Sequence, residues 1–132
     1  MILKFKTNSI FNNITDKIIP NIDSGICIIH STHTTCGIAI LEDETLLRKD
    51  MVELLDRIAP EKGTYAHNDI VNRDVPPEER LNGSSHIRSL LFPTSVVIPI
   101  EDGKLVLGKW QSIFLIDLDS SRERTIIVKT IK

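Results

Sequence analysis

The sequence has little of several features that would assign a protein to a broad class. Only two of its 132 residues are cysteine, too few for the disulfide framework of a small secreted domain. No apolar run approaches the roughly 20 residues that a membrane-spanning helix needs, and the N-terminus lacks the charged-then-apolar order of a signal peptide. These absences predict a soluble cytoplasmic protein.

An excess of charge of one sign is also missing. The chain has 16 basic and 18 acidic residues, for a formal net charge of −2, which gives no electrostatic reason to expect binding to nucleic acid or a membrane. This charge balance does not exclude small phosphorylated or carbonyl substrates. Because no internal repeat or linker divides the chain, we expect one domain over residues 1–132.

Residue patterns predict both strands and helices. Residues 1–7 alternate in polarity, as an edge strand with one solvated face does. Further strands are predicted over 26–29, 37–42, 95–100, 105–107, 113–118 and 125–131. Gly103 is expected to turn a hairpin. An amphipathic helix is predicted over 45–58, with shorter helical segments over 14–19 and 87–92. The fold class is therefore α+β with mostly antiparallel sheets.

A polar cluster between two apolar segments contains the first candidate site residues. His30, His33 and Cys36 are spaced three apart, which on a helix would resemble a metal site. Their β-branched neighbours favour extended backbone, where His33 faces away from the other two. We therefore expect His30 to be a core or interface histidine and Cys36 to be a small buried hydrophobe.

His33 has two other potential partners. His67 lies in a polar loop over 59–85, and His86 precedes a predicted helical turn. Three imidazoles from separate elements would form an open transition-metal site, although isolated histidines are also often solvated or packed. The polar residues able to orient these imidazoles or a bound water are Glu42, Asn68 and Asp69.

Arginine, glutamine and tryptophan side chains each allow two interpretations. Arg88 is the best candidate for an anion contact because it lies close to the third histidine, and Arg122 and Arg124 could also hold phosphate. Arginines are nevertheless often solvated or ion-paired. Gln111 could reach the pocket as an amide donor, whereas Trp110 is typical of a core or subunit-contact residue.

Four short motifs occur in a specific order along nearly the whole chain. They are His33-Thr34-Thr35, Tyr65-Ala66-His67-Asn68-Asp69, Ser85-His86-Ile87 and Gly108-Lys109-Trp110-Gln111. Each motif alone is weak, but together they resemble the YjbQ family, whose members are described as secondary thiamine-phosphate synthases. The resemblance implies β-sheets packed as a sandwich with one long and one or two short helices. It also implies a homotrimer with its pocket near a subunit interface, and an apolar content of 41 % agrees with such a closed assembly.

The resemblance also assigns roles to individual residues. His33, His67 and His86 match the histidines of the family and are the expected ligands of a divalent transition metal, zinc first. Glu42 and Asp69 are the expected catalytic acids. The expected substrate-binding residues are Thr35, Asn68, Arg88 and Gln111.

Three functions compete on this basis. The family reaction joins a hydroxymethylpyrimidine diphosphate to a thiazole phosphate and releases pyrophosphate. Hard oxygen ligands with magnesium usually serve such chemistry, whereas imidazoles suit zinc, iron, copper or nickel. The second function is therefore a metal-dependent hydrolase or lyase with thiamine-phosphate synthesis as a side activity. The third is a trimeric protein that binds a metal or an anion without catalysis.

Overall fold

The computed structural model describes residues 1–120 and 122–132, which form two antiparallel sheets and two α-helices. The strands are β1 (Ile2–Lys6), β2 (Phe11–Asn13), β3 (Gly25–Ser31), β4 (Cys36–Leu41), β5 (Ser95–Glu101), β6 (Lys104–Leu105), β7 (Ser112–Asp117) and β8 (Glu123–Ile131). The helices are α1 (Thr45–Ile58) and α2 (Gly83–Ser89), with 3-10 turns at Thr15–Lys17 and Ala66–Asn68. The strand orders are β1-β8-β3-β5-β6 and β2-β7-β4. Neither described helix is long and apolar enough to cross a membrane.

The core has two parts because the smaller sheet is covered on both faces. One face packs against the five-stranded sheet, where Ile29 meets residues such as Ile38 and Leu115. Its other face packs against α1 through Leu55, Phe114 and other apolar residues. Burial on both sides explains why β7 is a continuous apolar run rather than an alternating one.

The predicted α+β class and most predicted elements are confirmed. α1 has the predicted bounds, and its first turn is capped by Glu44, whose carboxylate accepts the Leu47 N–H. β1 is an edge strand, as its alternation predicted. The hairpin after β5 turns through Asp102 and Gly103, whose φ angles of 49° and 71° suit a two-residue turn of the I′ type.

The helix predicted over 14–19 is present only as the 3-10 turn at Thr15–Lys17. Asn13 accepts hydrogen bonds from the N–H and hydroxyl of Thr15, at 3.0 and 2.6 Å, so the chain turns locally instead. Ile14 and Ile18 are 2 % and 4 % exposed because they point into the core between the sheets. Their four-residue spacing therefore reflects a buried turn. The helix predicted over 87–92 lies earlier, at α2.

The side chains of β3 divide between the core and an outer face. Cys27 and Ile29 are fully buried, whereas Ile26, Ile28 and His30 point outward. The core interpretation of His30 is therefore wrong, and its Nδ1 lies 2.6 Å from Ser95 Oγ on β5. The outer side of the five-stranded sheet exposes several apolar residues. This outer apolar face consists of Ile2, Ile26, Val97, Ile127 and Ile131.

Candidate functional site

Two of the three predicted ligands lie side by side. The ring centroids of His67 and His86 are 4.5 Å apart, with the ring planes at 64°. Asn68 Oδ1 accepts the Gly83 N–H at 2.9 Å and so ties the second 3-10 turn to the start of α2. A Cβ at Gly83 would lie 2.6 Å from Tyr65 Cβ, so this contact requires glycine. The second and third motifs therefore form one structural unit.

The environment of His86 favours its neutral imidazole form. Burial lowers the pKa of His86, and the charges of His67 and Arg73 lower it further, against the opposing effect of Asp119. Arg73 also donates to the His67 backbone carbonyl at 2.7 Å, which fixes the turn. Neutral imidazole is the form that ligates a metal or accepts a proton. His86 is therefore in a state suited to either role at neutral pH.

His33 is held in a different environment. Its Nε2 accepts the Thr125 N–H at 2.9 Å, so the neutral ring carries its proton on Nδ1. Burial lowers the pKa of His33, followed by the charges of Arg124 and Arg122. Along the described ranges, no three histidine, cysteine or acidic residues are grouped to hold a metal ion. The structure therefore does not gather all three predicted ligands, and it leaves His33 as a hydrogen-bond donor.

The two predicted catalytic acids do not join the histidine pair in a metal-holding group within the described residues. Glu42 is exposed just beyond β4. Asp69 is also exposed, and its carboxylate accepts from the side chain and N–H of Asn72 at 2.8 and 3.3 Å. These bonds lower the pKa of Asp69, so it stays ionised. Neither acid belongs to a metal-holding group in the part of the chain that the structure describes.

Arg88 makes contacts within the fold, and its predicted anion contact stays a prediction. Its side chain is buried, and its Nε donates to the Ala59 carbonyl at 2.8 Å. A terminal nitrogen donates to Asp56 at 2.9 Å. The guanidinium therefore joins α2 to the C-terminal end of α1, and its donors are not presented as a free fork to a phosphate.

The other predicted substrate contacts are also engaged within the fold. Buried Thr35 accepts a hydrogen bond from Arg124 at 3.1 Å. Asn68 uses its oxygen to join the two histidine segments. Gln111 Oε1 accepts the Gly108 N–H at 2.8 Å and closes a local turn. Trp110 is 67 % exposed, so its core interpretation is wrong and the subunit-contact interpretation remains.

A buried ion pair lies close enough to His33 to affect its pKa. Arg124 and Asp117 are 1 % and 0 % exposed, and two guanidinium nitrogens donate to Asp117 Oδ1 at 2.8 and 3.1 Å. The Thr7 hydroxyl donates to the other carboxylate oxygen. Cys36 Sγ lies 3.7 Å from the same Oδ1, and burial together with this charge raises the pKa of the thiol to about 12. Cys36 is thus a buried thiol without reactive character, as predicted.

A second acidic residue connects this network to the histidine pair. Burial would raise the pKa of Asp119, but hydrogen bonds from Arg80, Asn82 and Arg122 lower it below its usual value. The shortest of these contacts is from Arg80, at 2.5 Å. Asp119 in turn opposes the lowering of the His86 pKa. Asp117 and Asp119 were not among the predicted site residues, although two acids at the end of a buried apolar strand are a signal for such a network.

Comparisons with known proteins give a consistent result. The family described as UPF0047 protein YjbQ-like matches residues 3–132. A UPF0047 protein of Archaeoglobus fulgidus is 32 % identical over 90 % of this chain and 89 % of its own length. A solved YbjQ-like protein from Sulfolobus solfataricus is 30 % identical, with a TM-score of 0.81, covering 97 % of this chain and 92 % of that one. A YjbQ/UPF0047 protein from Clostridium acetobutylicum has a TM-score of 0.80 and is 29 % identical, covering 99 % of each chain.

Proposed function

Because this chain belongs to the YjbQ-like UPF0047 family, which the match over residues 3–132 establishes, we propose that it is a metal-dependent enzyme acting on a small phosphorylated substrate. The observation that carries the proposal is the half-buried pair of His67 and His86, 4.5 Å apart. Imidazole ligands suit zinc and related transition metals, and two of them leave further coordination positions open. The donor set therefore fits such an ion in part.

The residues around the pair have separable roles. A bound transition metal would supply a Lewis acid that polarises a phosphoryl oxygen. His67 and His86 would hold it, and the Arg73 bond to the His67 carbonyl would orient the first of them. His33 presents an Nδ1–H, a donor suited to an anionic oxygen.

Hydrolysis is the reaction that this arrangement supports best. Synthesis with release of pyrophosphate needs a cationic clamp, and the candidate for it, Arg88, is already bound to Asp56 and Ala59. The second candidate is thiamine-phosphate synthesis, implied by the family resemblance. Either reaction needs the histidine pair, so the assay must separate them.

A paired assay tests the proposal. Zinc-loaded protein would be given the two thiamine-phosphate precursors in one experiment and a panel of phosphate esters, lactones and cyclic amides in the other. We expect ester hydrolysis that falls about 10²- to 10⁴-fold in His86→Ala, the usual effect of removing an acid–base or metal-holding group. His30→Ala, on the outer face, is the matched control and should retain the activity. Efficient synthesis with no hydrolysis in the panel would contradict the preference for hydrolysis, and activity retained in His86→Ala would contradict the site.

We also propose that the chain forms a homotrimer through its outer apolar face. Val97 is 58 % exposed and lies opposite Ile28, while Ile26 lies opposite Ile131, so the exposed apolar side chains are contiguous across neighbouring strands. Contiguous apolar patches on soluble proteins usually mark interaction sites. Three copies related by cyclic symmetry would cover this face and would leave no equivalent face exposed.

Val97→Lys is expected to convert the trimer into monomers, because three buried ammonium groups would be introduced at one assembly. Light scattering coupled to gel filtration at micromolar concentration would measure the mass. Val71→Lys is the matched control because Val71 is 89 % exposed in the loop after the second 3-10 turn. A monomeric wild-type protein, or a trimeric Val97→Lys variant, would contradict this interface.

A further inference from the structure

A cavity of about 400 Å³ with a mostly polar lining lies beside α2. Ser84 and Arg88 contribute to it from α2, Arg80 from the segment before this helix, and Asp119 from the segment after β7. The same short helix carries His86 of the histidine pair. The volume is within the range of small-molecule sites. α2 therefore contributes to both the proposed reaction centre and a cavity with room for part of a substrate.

One carboxylate in the lining holds two guanidinium groups. Arg80 Nε donates to both oxygens of Asp119 at 3.1 Å, and Arg122 Nη1 donates to Asp119 Oδ2 at 3.2 Å. The carboxylate is ionised, because these bonds and one from Asn82 lower the pKa of Asp119. Each guanidinium stays protonated at any ordinary pH. Two positive charges thus share one negative charge, and one positive charge is left uncompensated.

The other charged pairs beside the cavity are balanced one to one. Arg88 pairs with Asp56 at 2.9 Å, and Arg124 pairs with the buried Asp117 at 2.8 Å. Glu61 also lines the cavity and opposes the excess positive charge, but its side chain is exposed, so solvent and salt screen it. A ligand that enters the cavity therefore meets excess positive charge at its inner wall and a screened carboxylate at its edge.

The two arginines that share a carboxylate are accessible to a ligand. The side chains of Arg80 and Arg122 are 49 % and 45 % exposed, whereas that of Arg88 is 8 % exposed. A guanidinium has five N–H donors in a planar fork that matches phosphate oxygens. The bonds to Asp119 use part of this capacity and hold both groups in place, so less side-chain entropy is lost when a ligand binds.

We propose that Arg80 and Arg122 bind a phosphate group at this cavity, with the Ser84 hydroxyl as a further donor. This inference rests on the proposed function, because it assigns binding residues to the phosphate of the small phosphorylated substrate. A phosphate group carries a charge of about −1.5 to −2 near pH 7, so it compensates the excess positive charge. A neutral ligand would leave two guanidinium groups on one carboxylate, and a cation would add to their repulsion.

The test is a titration of metal-free, isotopically labelled protein with inorganic phosphate, followed by nuclear magnetic resonance of the arginine Nε–H groups. We expect saturable shifts of the Arg80 and Arg122 signals that sodium chloride at the same ionic strength does not produce. Arg122→Gln should weaken phosphate binding by at least about tenfold, because it removes both a charge-assisted contact and the excess charge. Arg57→Gln is the matched control, since Arg57 is 75 % exposed on α1 and does not line the cavity.

A second variant keeps the test decisive if Arg122→Gln disturbs the fold. Glu61→Gln removes the opposing carboxylate and should tighten phosphate binding, an effect that a damaged fold does not produce. Unchanged phosphate affinity in both Arg122→Gln and Glu61→Gln would overturn the proposal. The absence of a saturable shift in the wild type, beyond that caused by chloride, would also overturn it.

Failure of this site and failure of the proposed reaction give different results. The phosphate titration uses metal-free protein, whereas ester hydrolysis is measured on zinc-loaded protein. Saturable phosphate binding without hydrolysis of any ester would contradict the reaction and support the phosphate site. Ester hydrolysis with the same KM in Arg122→Gln as in the wild type would support the reaction and overturn the phosphate site.

Discussion

Replacing Arg124 with methionine is expected to lower the free energy of unfolding by about 3 to 5 kcal/mol, because it leaves the buried Asp117 carboxylate without its counter-charge. Arg124 is 1 % exposed and donates to three acceptors: the carboxylate of Asp117, the hydroxyl of Thr35 and the carbonyl of Asp119. All three lose the hydrogen bonds from Arg124 in the variant. Urea unfolding at one fixed protein concentration measures the change, since assembly makes stability depend on concentration.

Arg122→Met is the matched control for this measurement. The Arg122 side chain is 45 % exposed and pairs with Asp119 at 3.2 Å, a contact screened by solvent that is expected to contribute at most about 1 kcal/mol. The double variant Asp117→Leu with Arg124→Met should recover part of the lost stability, because no buried charge is left unpaired. Equal losses in Arg122→Met and Arg124→Met would show that burial does not set the energy of this pair.

Alanine in place of His67 or His86 is expected to weaken zinc binding by at least about 100-fold, because each replacement removes one of two ligands rather than an outer-shell partner. Zinc titration by calorimetry on protein stripped of metal would measure the constants. His33→Ala should bind zinc as the wild type does, since His33 Nε2 already accepts the Thr125 N–H. His30→Ala, in β3, is the control for a histidine outside the pair. Zinc binding lost equally in His33→Ala would return His33 to the ligand set.

The same titration has an expected dependence on pH. A ligating imidazole must be neutral, and burial holds the pKa of His86 below its ordinary value of about 6.5. Protonation therefore competes with zinc at His86 only at a lower pH than for a free histidine. Zinc affinity should be largely retained at pH 6.5 and fall as the pH drops through the lowered pKa of His86. A steep loss already above pH 7 would contradict this environment.

Helices and strands that bury one face could be predicted from the spacing of their apolar residues. The spacing of apolar residues in α1 and the alternation in β1 follow from contacts that each element makes on one face, so both could be predicted. β2 has three residues and no period to detect. The Asn13 side chain closes a turn there that competes with a helical N-cap, because the same oxygen serves either geometry.

The candidate site was predictable only in part, because it depends on contacts between segments. The motifs identified His67 and His86, but their meeting requires the Gly83 contact with Tyr65, which no periodicity reports. Arg88 was expected to bind an anion because of its position near His86. Its partner, Asp56, comes from α1, and only the packing of two helices shows that the charge is already neutralised. Glu42 was assigned from the family resemblance and lies on the surface.

The order of strands in the larger sheet has a consequence for synthesis of the protein on the ribosome. β1 pairs with β8 alone, and β3 has β8 as one of its two neighbours. The edges of β1 and β3 therefore stay unpaired until β8, the last of these strands, emerges, and unpaired apolar strands are prone to aggregate. The histidine segments, by contrast, are close in sequence and can meet early. In a nascent chain the histidine pair can therefore form before the larger sheet is complete. We expect chaperones to bind the unpaired strands until β8 emerges.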